Sequence, residues 1–416
     1  MTYLKIIKNK IIQKRKLKTF FFAIILFHLK LASANANSYE EIILSFSNSF
    51  EKIIERYNVP GVAIAIVTPT KVLLLKTHGV KELGKSEAIN ENTIFRIASV
   101  SKMITSAVAL KLAHLGKLHI DDPIRKYLPD LIICDKAHTN SIQIKHILSH
   151  TIGIKAYSLE EKAYSKNSFS GTIHRLSNVK KLAEPGKIFQ YQNFSYSIIG
   201  SIIEVATKNT FEKNLKIEIL QPLNIPNIIL SEKEYLLSKN LASPHSAIKN
   251  GTKFIPYKGN SYYYNVFPSC GMAFSIKDAS RILQALMGGV PSVLNSEILS
   301  LIFTPNAFVC KGHYLCTVKK CLCKKNILEY YGLGSRIKKY KNSTICYHTG
   351  RLSGYTAWMG FSKEKNIGII ILCNADTKLP IELANCFFRS LFGENNEVKK
   401  DFKKFNTGYK CRMLKF

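Results

Sequence analysis

Acidic side chains are scarce in this 416-residue chain: 28 Asp and Glu stand against 60 Lys and Arg, a net charge of +32. Such an excess suits anionic partners such as membrane lipid, cell-wall polymer or nucleic acid. The lysines are scattered, however, and Lys, Ile and Asn are abundant throughout, which favours compositional bias over a dedicated basic face. No nucleic-acid-binding signature accompanies the charge, so no nucleic-acid partner is expected. Long apolar runs are missing as well. Phe20 to Leu29 reaches only about half of the ~20 residues a spanning helix needs, and no later stretch is long enough. The usual zinc spacings are also absent. Cys310, Cys316, Cys321 and Cys323 crowd a Lys-rich segment with His313, but their intervals fit a disulfide-stitched loop or free thiols better than a metal site. Cys134, Cys270, Cys346, Cys373 and Cys386 lie in apolar contexts and read as small core residues. No metal or organic cofactor is implied.

What is present begins with a leader. A basic run from Lys5 to Lys18, the short apolar run, and the small-x-small sites Ala32-Ser33-Ala34 and Ala34-Asn35-Ala36 form the three parts of a secretory signal peptide over residues 1–36. The mature protein is expected outside the cytoplasm, periplasmic or extracellular. Lys30 interrupts the approach to the cleavage site, so retention at the inner membrane by an uncleaved segment stays open, as does peripheral membrane or cell-wall association. The body of the chain, 39–396, is long enough for a large core. Residues 397–416 are polar and basic and read as a loose tail.

Strand patterns occur near both ends. Gly61 to Val67 and Val72 to Thr77 flank a Thr-Pro-Thr-Lys turn, and Thr344 to His348, Tyr355 to Phe361 and Ile367 to Cys373 follow late in the chain. From about 120 to 265 the pattern is helical and loopy, with Ile142 to Ser149 and Tyr196 to Thr207 as examples; Pro380 to Phe392 closes as a helix. The economical fold is α+β: an antiparallel sheet built from both chain ends, flanked by helices, with a mostly helical region inserted.

The chemistry is organised around Phe95 to Leu115, an apolar helical run headed by Ser99-Val100-Ser101-Lys102. Residues three apart share a helix face, so Ser99 and Lys102 can meet. A helix starting there also aims free N–H groups and its positive end at whatever Ser99 attacks. A nucleophilic serine needs such an amine and such donors. Tyr191-x-Asn193 puts a phenol and an amide just ahead of a second helix; a neighbouring cation would favour the phenolate of Tyr191 as a base. Tyr347-His348-Thr349-Gly350-Arg351 lies on a strand that can line a cleft, and the N–H after Gly350 can be an oxyanion donor. His150 reads better as a loop histidine bonded to backbone than as a base.

In that order, S-x-x-K, Y-x-N and H-T-G resemble the motif set of the serine β-lactamase and penicillin-binding-protein superfamily. Phe95-x-x-Ala98-Ser99-Val100-Ser101-Lys102, His146-Ile147-Leu148-Ser149-His150-Thr151-x-Gly153, Pro185-Gly186 ahead of Tyr191, Cys270 to Ser275 with Asp278, and Tyr331-Gly332-Leu333-Gly334 resemble landmarks of its class C-like branch. The match runs from about Tyr57 to Phe392. The resemblance implies a β-lactamase/transpeptidase-like fold and a serine hydrolase. Ser99 would be the acylated nucleophile, with Lys102 and Tyr191 sharing base and acid duties. Asn193 would orient Lys102 and the substrate amide, the Ser99 and Arg351 amides would form the oxyanion hole, and His348 and Thr349 would touch substrate.

One departure matters. The third motif opens with His348 where the family has lysine, and histidine is mostly uncharged above pH ~6.5. A permanent cation for a carboxylate is then missing unless Arg351 points inward. This pattern resembles the esterase and D-amino-peptidase-like members more than efficient β-lactamases. The expected function is an exported serine hydrolase acting through an acyl-enzyme on a small-molecule or peptide substrate, first of all a D-alanyl or D-amino-acid cell-wall peptide. A β-lactamase, and a penicillin-binding or scaffold protein with little turnover, are the alternatives.

Overall fold

The computed structural model describes residues 39–393, apart from 49, 164–167, 227–228, 249–252, 259–260, 310–326 and 341–342. The expected signal peptide, the C-terminal tail and the Cys310–Cys323 cluster with His313 lie outside the described residues. Tyr57–Asn385 group as one compact unit, which carries the sheet and every site residue discussed below; residues 39–56 and 386–393 belong to a second. No helix among the described residues is long and apolar enough to cross a membrane.

Eight antiparallel strands make the main sheet: β1 (Gly61–Val67), β2 (Val72–Gly79), β7 (Ala307–Val309), β8 (Ile327–Tyr331), β9 (Arg336–Tyr340), β10 (Ser343–Leu352), β11 (Tyr355–Ser362) and β12 (Ile367–Cys373), in the order β2-β1-β12-β11-β10-β9-β8-β7. The two earliest strands therefore lie beside the last, and the sheet is closed from both chain ends as the sequence suggests. β1, β11 and β12 are buried along their whole length. The near-continuous aliphatic content of β1 and β12 fits strands covered on both faces, and β11 fills the same layer with Tyr355, Trp358, Met359 and Phe361.

The helix α1 (Ser101–His114) is buried on every side from Ser101 to Leu110, more completely than an amphipathic stripe would require. Its polar residues are tied down. Ser101 Oγ donates to Ala98 O at 2.6 Å, Thr105 Oγ1 to Pro268 O at 2.5 Å and Ser106 Oγ to Leu333 O at 2.7 Å. The expected helices appear as α2 (Ile144–Leu148) and α4 (Ile198–Thr207), with a short α3 (Glu160–Ala163) between them. Farther on, α5 (Ile276–Leu286) packs on β1 and β12.

Several strands depart from the sequence expectation. β3 (Ile94–Arg96) pairs with β6 (Ala273–Ser275), a hairpin of β4 (His245–Ile248) and β5 (Lys253–Pro256) interrupts the helical region, and β7 to β9 extend the sheet. Three- and four-residue strands are too short to display a period, and β9, Arg-Ile-Lys-Lys-Tyr, is polar. Of the five core-reading cysteines, Cys270, Cys346, Cys373 and Cys386 are buried and Cys134 is half-buried.

Candidate active site

Chain entry into α1 is strained where chemistry would need it. Ala98 has φ +51°, a left-handed conformation that a Cβ disfavours, and it opens a single 3-10 turn, Ala98–Val100. The strain is held by its surroundings. Ile97 N donates to Met272 O at 3.1 Å, and Met272 N donates back to Ser101 Oγ at 3.3 Å. From Thr93 to Leu110, Ser99 alone is not buried. The turn thus presents one hydroxyl to the outside.

Beneath it lies Lys102, fully buried. Its Nζ donates to Asn193 Oδ1 at 2.6 Å and to Ser269 O at 3.0 Å, and stands 3.3 Å from Ser99 Oγ. Burial is the largest cause lowering its pKa, to about 7; Cys270 and Glu160 work the other way and Arg336 adds to the fall. A neutral amine has two N–H groups and one lone pair. Both acceptors are lone-pair donors only, so the nitrogen lone pair is left for the Ser99 hydroxyl.

The Tyr191 phenol is a hydrogen-bond partner of Ser99, and its ring lies 4.8 Å from Lys102 Nζ. Burial raises its pKa far above the ordinary range, only partly opposed by Ser99 and Arg336. This corrects the expected phenolate: at neutral pH Tyr191 is a phenol, able to give a proton rather than take one. Asn193 is 6 % exposed, and its Nδ2 donates to Glu160 Oε1 at 2.5 Å.

The third motif meets the first by a close approach. A Cβ on Gly350 would sit 2.1 Å from Ile97 O and 3.1 Å from Ala98 Cβ, so only glycine lets β10 lie against the strained turn. β10 is thereby brought against the turn that carries Ser99. Along β10, His348 is buried, Thr349 half-buried and Arg351 exposed.

His348 is not a cation here. Its Nδ1 is 2.7 Å from Thr349 O, which can only accept, so Nδ1 carries the proton and Nε2, 3.0 Å from Tyr331 Oη, accepts. Burial, then Arg336 and Lys102, push its pKa well below the ordinary value. His150 completes the chain: its Nδ1 accepts from Gln192 N at 3.2 Å and its Nε2 lies 3.2 Å from Tyr331 Oη. It is a neutral, backbone-bonded histidine, as expected. Arg351 does not supply the missing charge either; its side chain is 69 % exposed and reaches Asp376 at 3.9 Å.

The cation beside the site is Arg336, which sequence reasoning missed. Its guanidinium lies 5.8 Å from the Tyr191 ring and 6.0 Å from the Tyr331 ring. Nη1 donates to Glu329 at 3.0 Å, while the side chain keeps 23 % exposure. Burial opposes its charge, but Glu329 and the neighbouring tyrosines more than restore it, so Arg336 stays protonated. The available signal was its place two residues after Gly334, immediately beyond the Tyr-Gly-Leu-Gly landmark. Glu160 was missed as well, because nothing local marks it.

An antiparallel sheet flanked by helices, with Ser99, Lys102, Tyr191 and Asn193 converging beside β10, defines the β-lactamase/transpeptidase class of proteins. Comparison with known proteins agrees at the level of family. The Beta-lactamase family model matches residues 46–385, and the chain belongs to that family, part of a superfamily of serine hydrolases. It is 24% identical over 339 residues to Protein flp of Staphylococcus aureus (strain NCTC 8325 / PS 47), covering 79% of this chain and 62% of that protein. It is also 24% identical over 187 residues to Penicillin-binding protein 4 of Amycolatopsis lactamdurans, covering 45% of this chain and 49% of that one. The chain thus spans about three fifths or less of the relatives it matches. The octameric penicillin-binding protein homologue from Pyrococcus abyssi shares the fold, with a TM-score of 0.71 and 23% identity over 84% of this chain and 77% of that one.

Proposed function

We propose that this chain is an exported serine hydrolase that works through an acyl-enzyme on peptide, amide or ester bonds. The observation that carries the reading is the buried Lys102 amine, which donates to Asn193 Oδ1 and Ser269 O and stands 3.3 Å from Ser99 Oγ; in its neutral form it has a lone pair for the Ser99 proton. In acylation the Ser99 proton passes to Lys102 as Oγ bonds to the acyl carbon. Negative charge on the carbonyl oxygen is met by the Ser99 and Arg351 backbone N–H groups. The bond to the leaving group breaks, and that group takes the Tyr191 proton, which Lys102 replaces. Water then enters and the same proton path runs in reverse. General acid–base assistance of this kind is worth about 10²–10⁴ in rate.

The substrate class follows from charge. With His348 neutral and Arg351 turned out, Arg336 supports an acyl donor bearing an anion, which fits the C-terminal carboxylate of a D-alanyl peptide. His348 and Thr349 then shape the pocket without charging it. Because Arg336 does not titrate near neutrality, preference for a peptide acid over its amide should not change between pH 5.5 and 8. A preference that drops as pH rises within that range would return the role to a histidine cation at His348. Export rests on residues 1–36.

Intact mass, timed after adding a penicillin, tests the reading. A lasting adduct on Ser99 indicates a penicillin-binding peptidase. An adduct that disappears as penicillin is consumed favours the β-lactamase alternative, which the family's name also supports. Hydrolysis that survives Ser99→Ala contradicts the assignment.

A further inference from the structure

We propose that Glu160 is a positioning residue: it fixes the Asn193 amide in one orientation and places a carboxylate one residue removed from Lys102. The proposal rests on the active-site reading above and adds a member to it. Asn193 Oδ1 accepts from Lys102 Nζ at 2.6 Å and its Nδ2 donates to Glu160 Oε1 at 2.5 Å. An amide can flip, and flipping this one would set Nδ2 against the lysine. Glu160 prevents it, because a carboxylate only accepts. One Nδ2 hydrogen is thereby engaged, and the second remains for the carbonyl of an incoming substrate amide.

The carboxylate is brought in by the wall of the site. Tyr157 N donates to Tyr191 O at 2.9 Å, Glu160 N donates to Tyr157 O at 3.1 Å, and the Tyr157 and Tyr191 rings lie 5.7 Å apart. α3 is therefore anchored directly to the strand of chain that carries Tyr191 and Asn193. Charge travels the same short path. Lys102 is surrounded by Ser99 on the entry turn, Tyr191, Asn193 and Tyr196 on the loop before α4, and Cys270 with Ser269 O before β6. Arg336 on β9, itself paired with Glu329, lowers the lysine pKa, and the neutral His150 and His348 lie nearby. Cys270 and then Glu160 favour the charged lysine, and Glu160 is the carboxylate of the two. Without it the amine should lose its proton more readily.

Glu160→Gln keeps an acceptor for Asn193 and removes the charge; Glu160→Ala removes both. The direct readout is the titration of Lys102 by NMR in protein labelled with [ε-¹³C]lysine, its signal assigned by loss in Lys102→Met. Both variants should move the midpoint down by about half a pH unit or more. On paired thioester donors with and without a backbone amide, Glu160→Ala should lose about tenfold more on the amide-bearing donor, and Glu160→Gln should not. A midpoint unmoved in both variants, or equal losses on both donors, overturns the proposal and leaves Glu160 a packing residue. Fluorophosphonate labelling of wild-type Ser99 tests the hydrolase reading separately, since the lysine titration does not depend on turnover.

Discussion

At the scale of single residues, Lys102 carries the account. A lysine whose pKa is lowered to about 7 is in good part neutral near that pH, a base where the serine needs one, and it is also a stability cost. In the unfolded chain its pKa is ~10.4, so below that pH the unfolded state takes up a proton that the folded state refuses until about pH 7. The penalty grows as pH falls from 10.4 to 7 and is constant below. Lys102→Met should therefore gain stability relative to wild type at pH 7, and that advantage should shrink by on the order of 4 kcal/mol by pH 10.5. Denaturant titrations of both proteins across that range measure it. A flat difference would mean that the buried lysine is charged. Activity should move the opposite way, falling about 10³-fold in Lys102→Met.

At the scale of elements, the site depends on two chain segments touching where side chains would keep them apart. Gly350 lets β10 reach the turn at Ala98, and a Cβ there meets a backbone oxygen, which cannot move like a side chain. Gly350→Ala should cost about 1–3 kcal/mol of stability and slow acylation of Ser99 far more than that loss explains, because the oxyanion donors separate. Thermal unfolding and labelling rate, measured on one preparation, distinguish the two effects. The elements also show what was legible beforehand. β1, β2, β10, β11, β12, α1, α4 and the three motifs were readable because each carries a strong apolar period or a residue type with few other uses. Arg336 and Glu160 were not. Their importance comes from long-range placement on a polar strand and a one-turn helix, and no local pattern announces either. The phenolate expectation for Tyr191 failed for a related reason: proximity to a lysine was visible, but burial, which outweighs it, was not. His348 was flagged as a departure, yet its neutrality is set by burial and by the nearby Arg336 and Lys102, surroundings that only the fold supplies.

At the scale of the molecule, the sheet is assembled late. β12 lies between β1 and β11, so the first strands join the rest only through residues near the end of the chain. A chain ending before Ile367 should leave two exposed apolar edges and fail to reach a cooperative native state. Near-UV circular dichroism and solubility would show it; a truncated chain that melts cooperatively would contradict the topology. The excess of positive charge acts on the same scale. It should speed capture of anionic donors at low salt and fade above about 0.15 M, because exposed charges are screened within about 8 Å there.

The central claim is that Ser99 is a nucleophile made reactive by Lys102, and one measurement addresses it directly. The protein is treated with a fluorophosphonate, digested, and the modified peptide sequenced by mass spectrometry. The account predicts a single adduct on Ser99, absent in Ser99→Ala and formed far more slowly in Lys102→Met. A folded wild type that takes no adduct, or one that is modified equally in Ser99→Ala, would contradict it.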